Sequence, residues 1–244
     1  MKTSLKLSLL VLIVVVIGAA GFVFLSTSQT PAAPSVVAPP QQNAPKAAAP
    51  TFSQKKTFNF DSDQVGATPS YLKADKTGQG TRSEWSIKND PTAPSPPNVL
   101  AQTSDEKVQI HFPLAIFANE KYKDLNVSVS FKTVSGTIDQ SGGIIFRLND
   151  ANNYYLFRAS AIDNNVVLYK YVGGRSSVIA SVPMTVSAGS WHTLTAVAVG
   201  ESIEGYLDGK RVIEARDATF LIGSVGLRTK ADSVTYFDNF LIGY

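Results

Sequence analysis

Gly142–Tyr171 reads GGIIFRLNDANNYYLFRASAIDNNVVLYKY, with bulky apolar residues at alternate positions on either side of Asp150-Ala151-Asn152. A two-residue period places successive side chains on opposite faces of a strand, and an Asp/Asn cluster between two such runs is turn chemistry. The segment predicts antiparallel strands at 142–149 and 153–160, with a third at 165–172. Pairing Leu148 with Tyr155 sets Phe146 against Phe157 and Ile144 against Ala159, which makes one continuous apolar face. The other face then carries Ile145, Arg147, Asn149, Tyr154, Leu156 and Arg158. Pairing Phe157 with Leu168 brings Tyr169 and Tyr171 beside Leu156 and Tyr154.

The same period continues on both sides of this segment. Short runs rich in Val, Ile, Phe, Tyr and Thr predict strands at 56–60, 83–88, 98–102, 107–112, 125–133, 176–181, 191–199, 202–207, 210–215, 224–229 and 234–242. With about fourteen short strands, one flat sheet is excluded, and two sheets must pack face to face. The expected fold is all-β, an antiparallel two-sheet β-sandwich of the jelly-roll type. Asp208-Gly209 predicts a two-residue type I′ hairpin turn, because both central positions of that turn need positive φ. Although the turn is followed by Lys210, a phosphate-binding loop is excluded. The Gly205 to Gly209 spacing is one residue short, and no helix follows.

Upstream, Lys2 and Lys6 precede an uncharged stretch from Leu7 to Leu25, and residues 1–29 read as an export segment. Two forms are open. It is a retained hydrophobic helix that anchors the chain in the inner membrane facing the periplasm, or a signal peptide whose removal leaves a periplasmic or extracellular protein. Residues 30–50, TPAAPSVVAPPQQNAPKAAAP, form a disordered Pro/Ala-rich linker whose extended conformers hold the 51–244 domain away from the membrane.

The chain has 22 Lys+Arg and 19 Asp+Glu, but Lys2, Lys6 and Lys46 lie before the domain and no acid does, so the domain itself is neutral. Without a basic field, nucleic acid is not an expected partner. The absence of cysteine excludes disulfides, thiolate metal sites and thiol catalysis.

Arg147, Tyr154, Arg158, Tyr169 and Tyr171 are therefore expected on one surface. Aromatic rings cover the apolar faces of sugars and guanidinium groups supply fixed donors to hydroxyls, so these five are the candidate ligand-binding residues and carbohydrate the candidate partner. The alternative for the same five is cross-strand packing with solvated Arg heads.

The segments 93–104 (APSPPNVLAQTS), 112–117 (FPLAIF), 139–170, 190–200 (SWHTLTAVAVG), 206–220 (YLDGKRVIEARDATF) and 225–240 (VGLRTKADSVTYFDNF) resemble bacterial concanavalin A-like, laminin-G-like jelly-roll domains. These are filed under the 3-keto-disaccharide hydrolase domain family, loosely labelled family 16 glycoside hydrolases. The resemblance spans nearly all of 55–244 and implies a carbohydrate-engaging module, with a hydrolase of 3-keto-disaccharides or related glycosides as the alternative. A structural or adhesive cell-envelope module is the third reading, since this scaffold hosts all three.

No catalytic residue is assigned from the sequence. The Glu-x-Asp-x-x-Glu strand of retaining glucanases of this shape has no counterpart, and Asp139, Asp150, Asp163, Glu214, Asp217, Asp232 and Asp238 occur singly, mostly at strand ends. His111 and His192 lie far apart in the chain, and His192 reads as an edge-of-core histidine. No cofactor is expected beyond a structural calcium at the sandwich rim, held by Asp61, Asp63 and Asp238 if the first and last strands pair.

Overall fold

The computed structural model describes residues 50–81 and 83–244, and the 1–29 and most of the 30–50 expectations lie outside them. The described residues form fifteen strands in two antiparallel sheets. The first sheet comprises β1 (Lys55–Phe58), β3 (Trp85–Asn89), β4 (Asn98–Gln102), β6 (Leu125–Ser135), β11 (His192–Val199), β12 (Ser202–Leu207), β13 (Lys210–Arg216) and β15 (Val234–Gly243). Its order is β13-β12-β11-β6-β15-β4-β3, with β1 also paired to β15. The second has the order β10-β9-β8-β7-β14-β5-β2 and comprises β2 (Leu72–Gly78), β5 (His111–Tyr122), β7 (Ser141–Asp150), β8 (Asn153–Ser160), β9 (Asn165–Val172), β10 (Arg175–Pro183) and β14 (Gly223–Arg228). The two-sheet sandwich read from the period is the fold observed.

The main core lies between the sheets. Phe117 stacks on Phe240 at 4.0 Å between centroids, Trp85 meets Phe237 at 5.8 Å, and Phe146 meets Tyr155 at 5.3 Å. Offset and tilted ring pairs of this kind add to the area they bury. Gly205 of β12 lets the sheets close at one point, since a Cβ there would stand 2.5 Å from the Phe157 ring. Asp208 and Gly209 have φ of 50° and 76°, as a type I′ turn requires.

Two strands departed from the expected pattern. Leu72–Gly78 (LKADKTG) is an edge strand with only Leu72 and Thr77 buried, so its apolar alternation is too weak to read. The strand expected at 107–112 instead begins at His111 and runs through Pro113 to Tyr122.

Strand β7 pairs with β8 in a register other than the expected one. Ile144 pairs with Phe157 and Phe146 with Tyr155, a shift of two residues from the expected register, and a bulge separates Phe146 from Asp150. The parity of Ile144, Phe146, Tyr155, Phe157 and Ala159 survives, and all five lie in the main core. Beyond Phe146, Arg147 takes φ 48° and the alternation breaks, so Leu148 moves to the outer face. Gly223 of β14 permits this bend, because a Cβ there would lie 2.3 Å from the carbonyl carbon of Arg147.

Candidate functional site

The outer face of the second sheet carries its own apolar cluster. Leu114, Ile116, Ile145, Leu148, Tyr154, Leu156 and Tyr171 are buried there, with Phe112, Ala151 and Tyr169 packed against them. A solvated outer face was the expectation; instead the face is covered, and the bulge adds Leu148 to it. The Thr77 hydroxyl of β2 donates to the carbonyl of Ala151 in the β7–β8 turn, although β14 and β5 lie between these strands in the sheet. The hairpin tip therefore folds back across the face and covers it.

The five candidate residues separate accordingly. Tyr154 stacks on Tyr171 at 4.8 Å with an 11° interplanar angle, and its hydroxyl lies 2.9 Å from Thr77 Oγ1. Tyr154 is fully buried and supports the site from beneath. Arg158 donates through Nη2 to Asp163 Oδ2 at 2.8 Å and to the Tyr169 hydroxyl at 3.2 Å. Tyr169 is only partly buried. Arg158, Tyr169 and Tyr171 line one pocket with Phe112, Ser176 and Arg228, a cavity of about 160 Å³.

Arg147 does not join them. It is fully buried, and its Nε and Nη2 donate to the Lys123 carbonyl at 3.2 and 3.0 Å while Nη1 donates to the Phe220 carbonyl at 3.1 Å. The bulge swings this side chain to a loop junction at the end of the sandwich. Burial lowers its pKa from the ordinary arginine value, and Tyr155 and Asp124 pull the other way.

Arg228 takes the place that the sequence reading gave to Arg147. Its guanidinium carbon lies 3.9 Å from the Phe112 ring centroid and 4.4 Å from that of Tyr171. The signal for it was present, since Val225 and Leu227 point inward and Arg228 is the next outward position. What was missing was the neighbour relation: β14 lies beside β7 in the sheet, although more than seventy residues separate them in sequence.

The three candidate calcium ligands also separate. Asp61 and Asp238 come together around Ser95, whose Oγ donates to Asp61 Oδ2 at 2.9 Å and whose N–H donates to Asp238 Oδ2 at 2.7 Å. Asp63 turns away and accepts from the Tyr71 hydroxyl at 2.5 Å. Among the described residues no three carboxylate or imidazole groups converge as a metal cluster. His192 is held between Asp208 Oδ2, 2.8 Å from Nδ1, and the Ser187 carbonyl, consistent with the edge-of-core reading.

Asp238 is fully buried, and this, reinforced by the nearby Asp61, pushes its pKa up to about 6 against the N–H donors of Ser95 and Asn239. A carboxyl with a raised pKa binds its proton more tightly in the folded state, so stability rises as pH falls from about 7 towards 4. The ionised form costs about 3 kcal/mol at neutral pH. Asp238→Asn is expected to flatten the dependence of melting temperature on pH between 4 and 7. An unchanged slope would place the burden on another group.

A larger cleft of about 700 Å³ runs between the edge strands β2 and β3 and is lined by Thr68, Asp75, Lys76, Glu84 and Trp85 among others. Its only ring belongs to Trp85, which is 3% exposed, so the described lining offers no flat apolar face to a sugar.

Residues 106–244 match the family described as galactocerebrosidase, C-terminal lectin domain. Over 100 residues the chain is 33% identical to levanase of Bacillus subtilis (strain 168), a stretch covering 41% of this chain and 15% of levanase. Among solved structures, a carbohydrate-binding module, CBM66, from Bacillus subtilis aligns with a TM-score of 0.55 at 23% identity, over 70% of this chain and 95% of that one. A Bacillus subtilis protein of unknown function with a galectin-like fold aligns with a TM-score of 0.54 at 14% identity, over 80% of this chain and 96% of that one. These two likenesses show the fold.

Proposed function

The chain belongs to the family of the galactocerebrosidase C-terminal lectin domain, and from that premise we propose that it binds carbohydrate in the pocket of β8, β9 and β14. The observation that carries this is the partly exposed Tyr169 ring beside two buried arginines in a cavity of about 160 Å³. Cavities that enclose drug-sized ligands run from roughly 300 Å³ upwards. The pocket therefore suits one sugar unit at a chain end.

A binding role fits the carboxylates better than hydrolysis does. Retaining and inverting glycosidases need two carboxyl groups roughly 5 to 9 Å apart and free to exchange protons with the substrate. Asp163 is held by Arg158 and Asp139 by Lys230 at 3.2 Å. Incubation with 3-keto-glucosides is accordingly expected to give no product, and turnover would restore the hydrolase reading. The match to levanase lies in a small part of that protein, consistent with a module that holds a sugar polymer near other machinery.

Glycan-array screening of the full-length protein, followed by calorimetry, tests the proposal. Tyr169→Ala is expected to weaken binding roughly ten- to thirtyfold, about 1.4–2 kcal/mol of lost ring contact, because the ring covers the sugar without supporting the main core. Its melting temperature should stay within a few degrees of the parent. Unchanged affinity for a sugar that binds would move the site elsewhere.

We further propose that Leu7–Leu25 exports the chain and that the Pro-rich segment spaces the domain from the membrane. Cell fractionation with and without residues 1–29 tests this. Calcium, if bound, would have to use the Asp61 and Asp238 pair, and a melting temperature insensitive to chelator at pH 7 would count against it.

A further inference from the structure

We propose that the sugar recognised in this pocket is acidic, a terminal uronate whose carboxylate meets Arg228. The inference rests on the carbohydrate reading above and adds the chemical class of the ligand. Three cations border the pocket, Arg158, Arg228 and Lys230. Two are already matched, Arg158 by Asp163 at 2.8 Å and Lys230 by Asp139 at 3.2 Å. Among the described residues Arg228 has no acidic partner.

Arg228 is 4% exposed, and both its Nε and Nη1 are buried without a hydrogen-bond partner. Arg158, 8% exposed, likewise leaves Nη1 without one. A buried guanidinium lacking a counter-charge is costly, because the desolvation of its charge is not repaid by an ion pair. The rings of Phe112 and Tyr171 repay part of this through cation–π contact. The same rings fix the plane of the guanidinium, and a group fixed in this way loses little entropy when it meets a ligand.

An anion entering the pocket would complete the charge balance, and its shape can be read from the donors. Guanidinium N–H groups match the planar carboxylate in bidentate geometry. Tyr169 offers the sugar ring a face, while Ser176 and Thr229 supply hydroxyls to the same pocket. Thr229 Oγ1 is itself buried without a partner. A neutral hexose in the same position would leave Arg228 uncompensated, so discrimination should come from the charge at the sugar's C6 position.

Calorimetry with the full-length protein compares methyl glucuronide and methyl galacturonide with methyl glucoside and methyl galactoside, and with glucose 6-sulfate. At least one uronide is expected to bind tenfold or more tightly than its neutral counterpart, and the difference should shrink as salt rises. Arg228→Met, which removes the charge but keeps a long side chain against the rings, is expected to melt no lower than the parent and to lose the preference for the uronide.

Equal affinity for the neutral and acidic members of each pair would overturn the acidic assignment while leaving carbohydrate binding intact. Binding of the sulfate ester alone would overturn the carboxylate as the recognised group. Failure of every uronide to bind overturns the inference whatever the glycan array shows. The comparison of parent protein with paired sugars needs no variant, so it decides the matter even if Arg228→Met fails to fold.

Discussion

Arg147→Ala is expected to destabilise the domain by about 3–5 kcal/mol, an effect of the size that follows the loss of a buried hydrogen-bonded network. The guanidinium serves two backbone carbonyls, Lys123 and Phe220, with three N–H donors at 3.0–3.2 Å. Truncation leaves both carbonyls without this partner and opens a void where a fully buried side chain stood. In a domain of this size each kcal/mol moves the melting temperature by roughly 2–4 °C, so a loss on the order of 10 °C is expected in a thermal scan. Arg147→Lys should recover only part of it, since one ammonium cannot reproduce the planar fork. The contrast with Tyr169→Ala is the test of the site assignment. Arg147 substitutions should act on stability and leave sugar affinity of the folded protein unchanged, and the reverse pattern would return Arg147 to the binding surface.

Asp232→Ala should cost about 3–4 kcal/mol at neutral pH, and the cost should depend on acidity. The Asp232 carboxylate accepts from Thr137 N and Oγ1, both at 2.7 Å, from Ile138 N at 2.9 Å and from Asp139 N at 3.2 Å. It thereby fastens the β6–β7 connection to the β14–β15 connection. Burial alone would raise its pKa, but these four donors outweigh it and hold the pKa down at about 2. A lowered carboxyl pKa adds stability that is complete above the ordinary value near 4 and is lost as pH falls through about 2. About 2 kcal/mol of the difference between Asp232→Ala and the parent should therefore vanish between pH 4 and pH 2, measured by denaturant titration at each pH. A pH-independent difference would show that the carboxylate's charge is not what holds these loops. The same connections carry Asp139 and Lys230, so the variant should also loosen the rim of the pocket.

The alternating segments carried most of the architecture on their own. Asn153–Ser160, Asn165–Val172 and Ser202–Leu207 have the bounds their period predicts, because each has one face against the main core and one-residue slippage would expose it. The Tyr154–Tyr171 and Leu156–Tyr169 neighbours follow from that pattern and from a short connection. Leu72–Gly78 was illegible for the opposite reason: Lys73, Ala74 and Asp75 are not buried, so no burial requirement shaped that part of the strand.

Arg147 shows where reading a strand in isolation ends. Its position in a run of alternating residues assigns it to the outer face, and only the approach of Gly223 from a strand distant in sequence makes room for the bend that turns it away. Arg228, the residue that does reach the pocket, gives a mirror image of that failure. Its outward direction is implicit in its own strand, but its partners Phe112 and Tyr171 come from two other strands. The amino-acid sequence determined the sandwich, the inward set of side chains and the tyrosine pair, because each follows from local alternation and the demand to bury apolar surface. Tertiary structure alone decided which arginine is a structural strut and which borders the pocket, because strand order and one bulge depend on contacts between residues far apart in the chain.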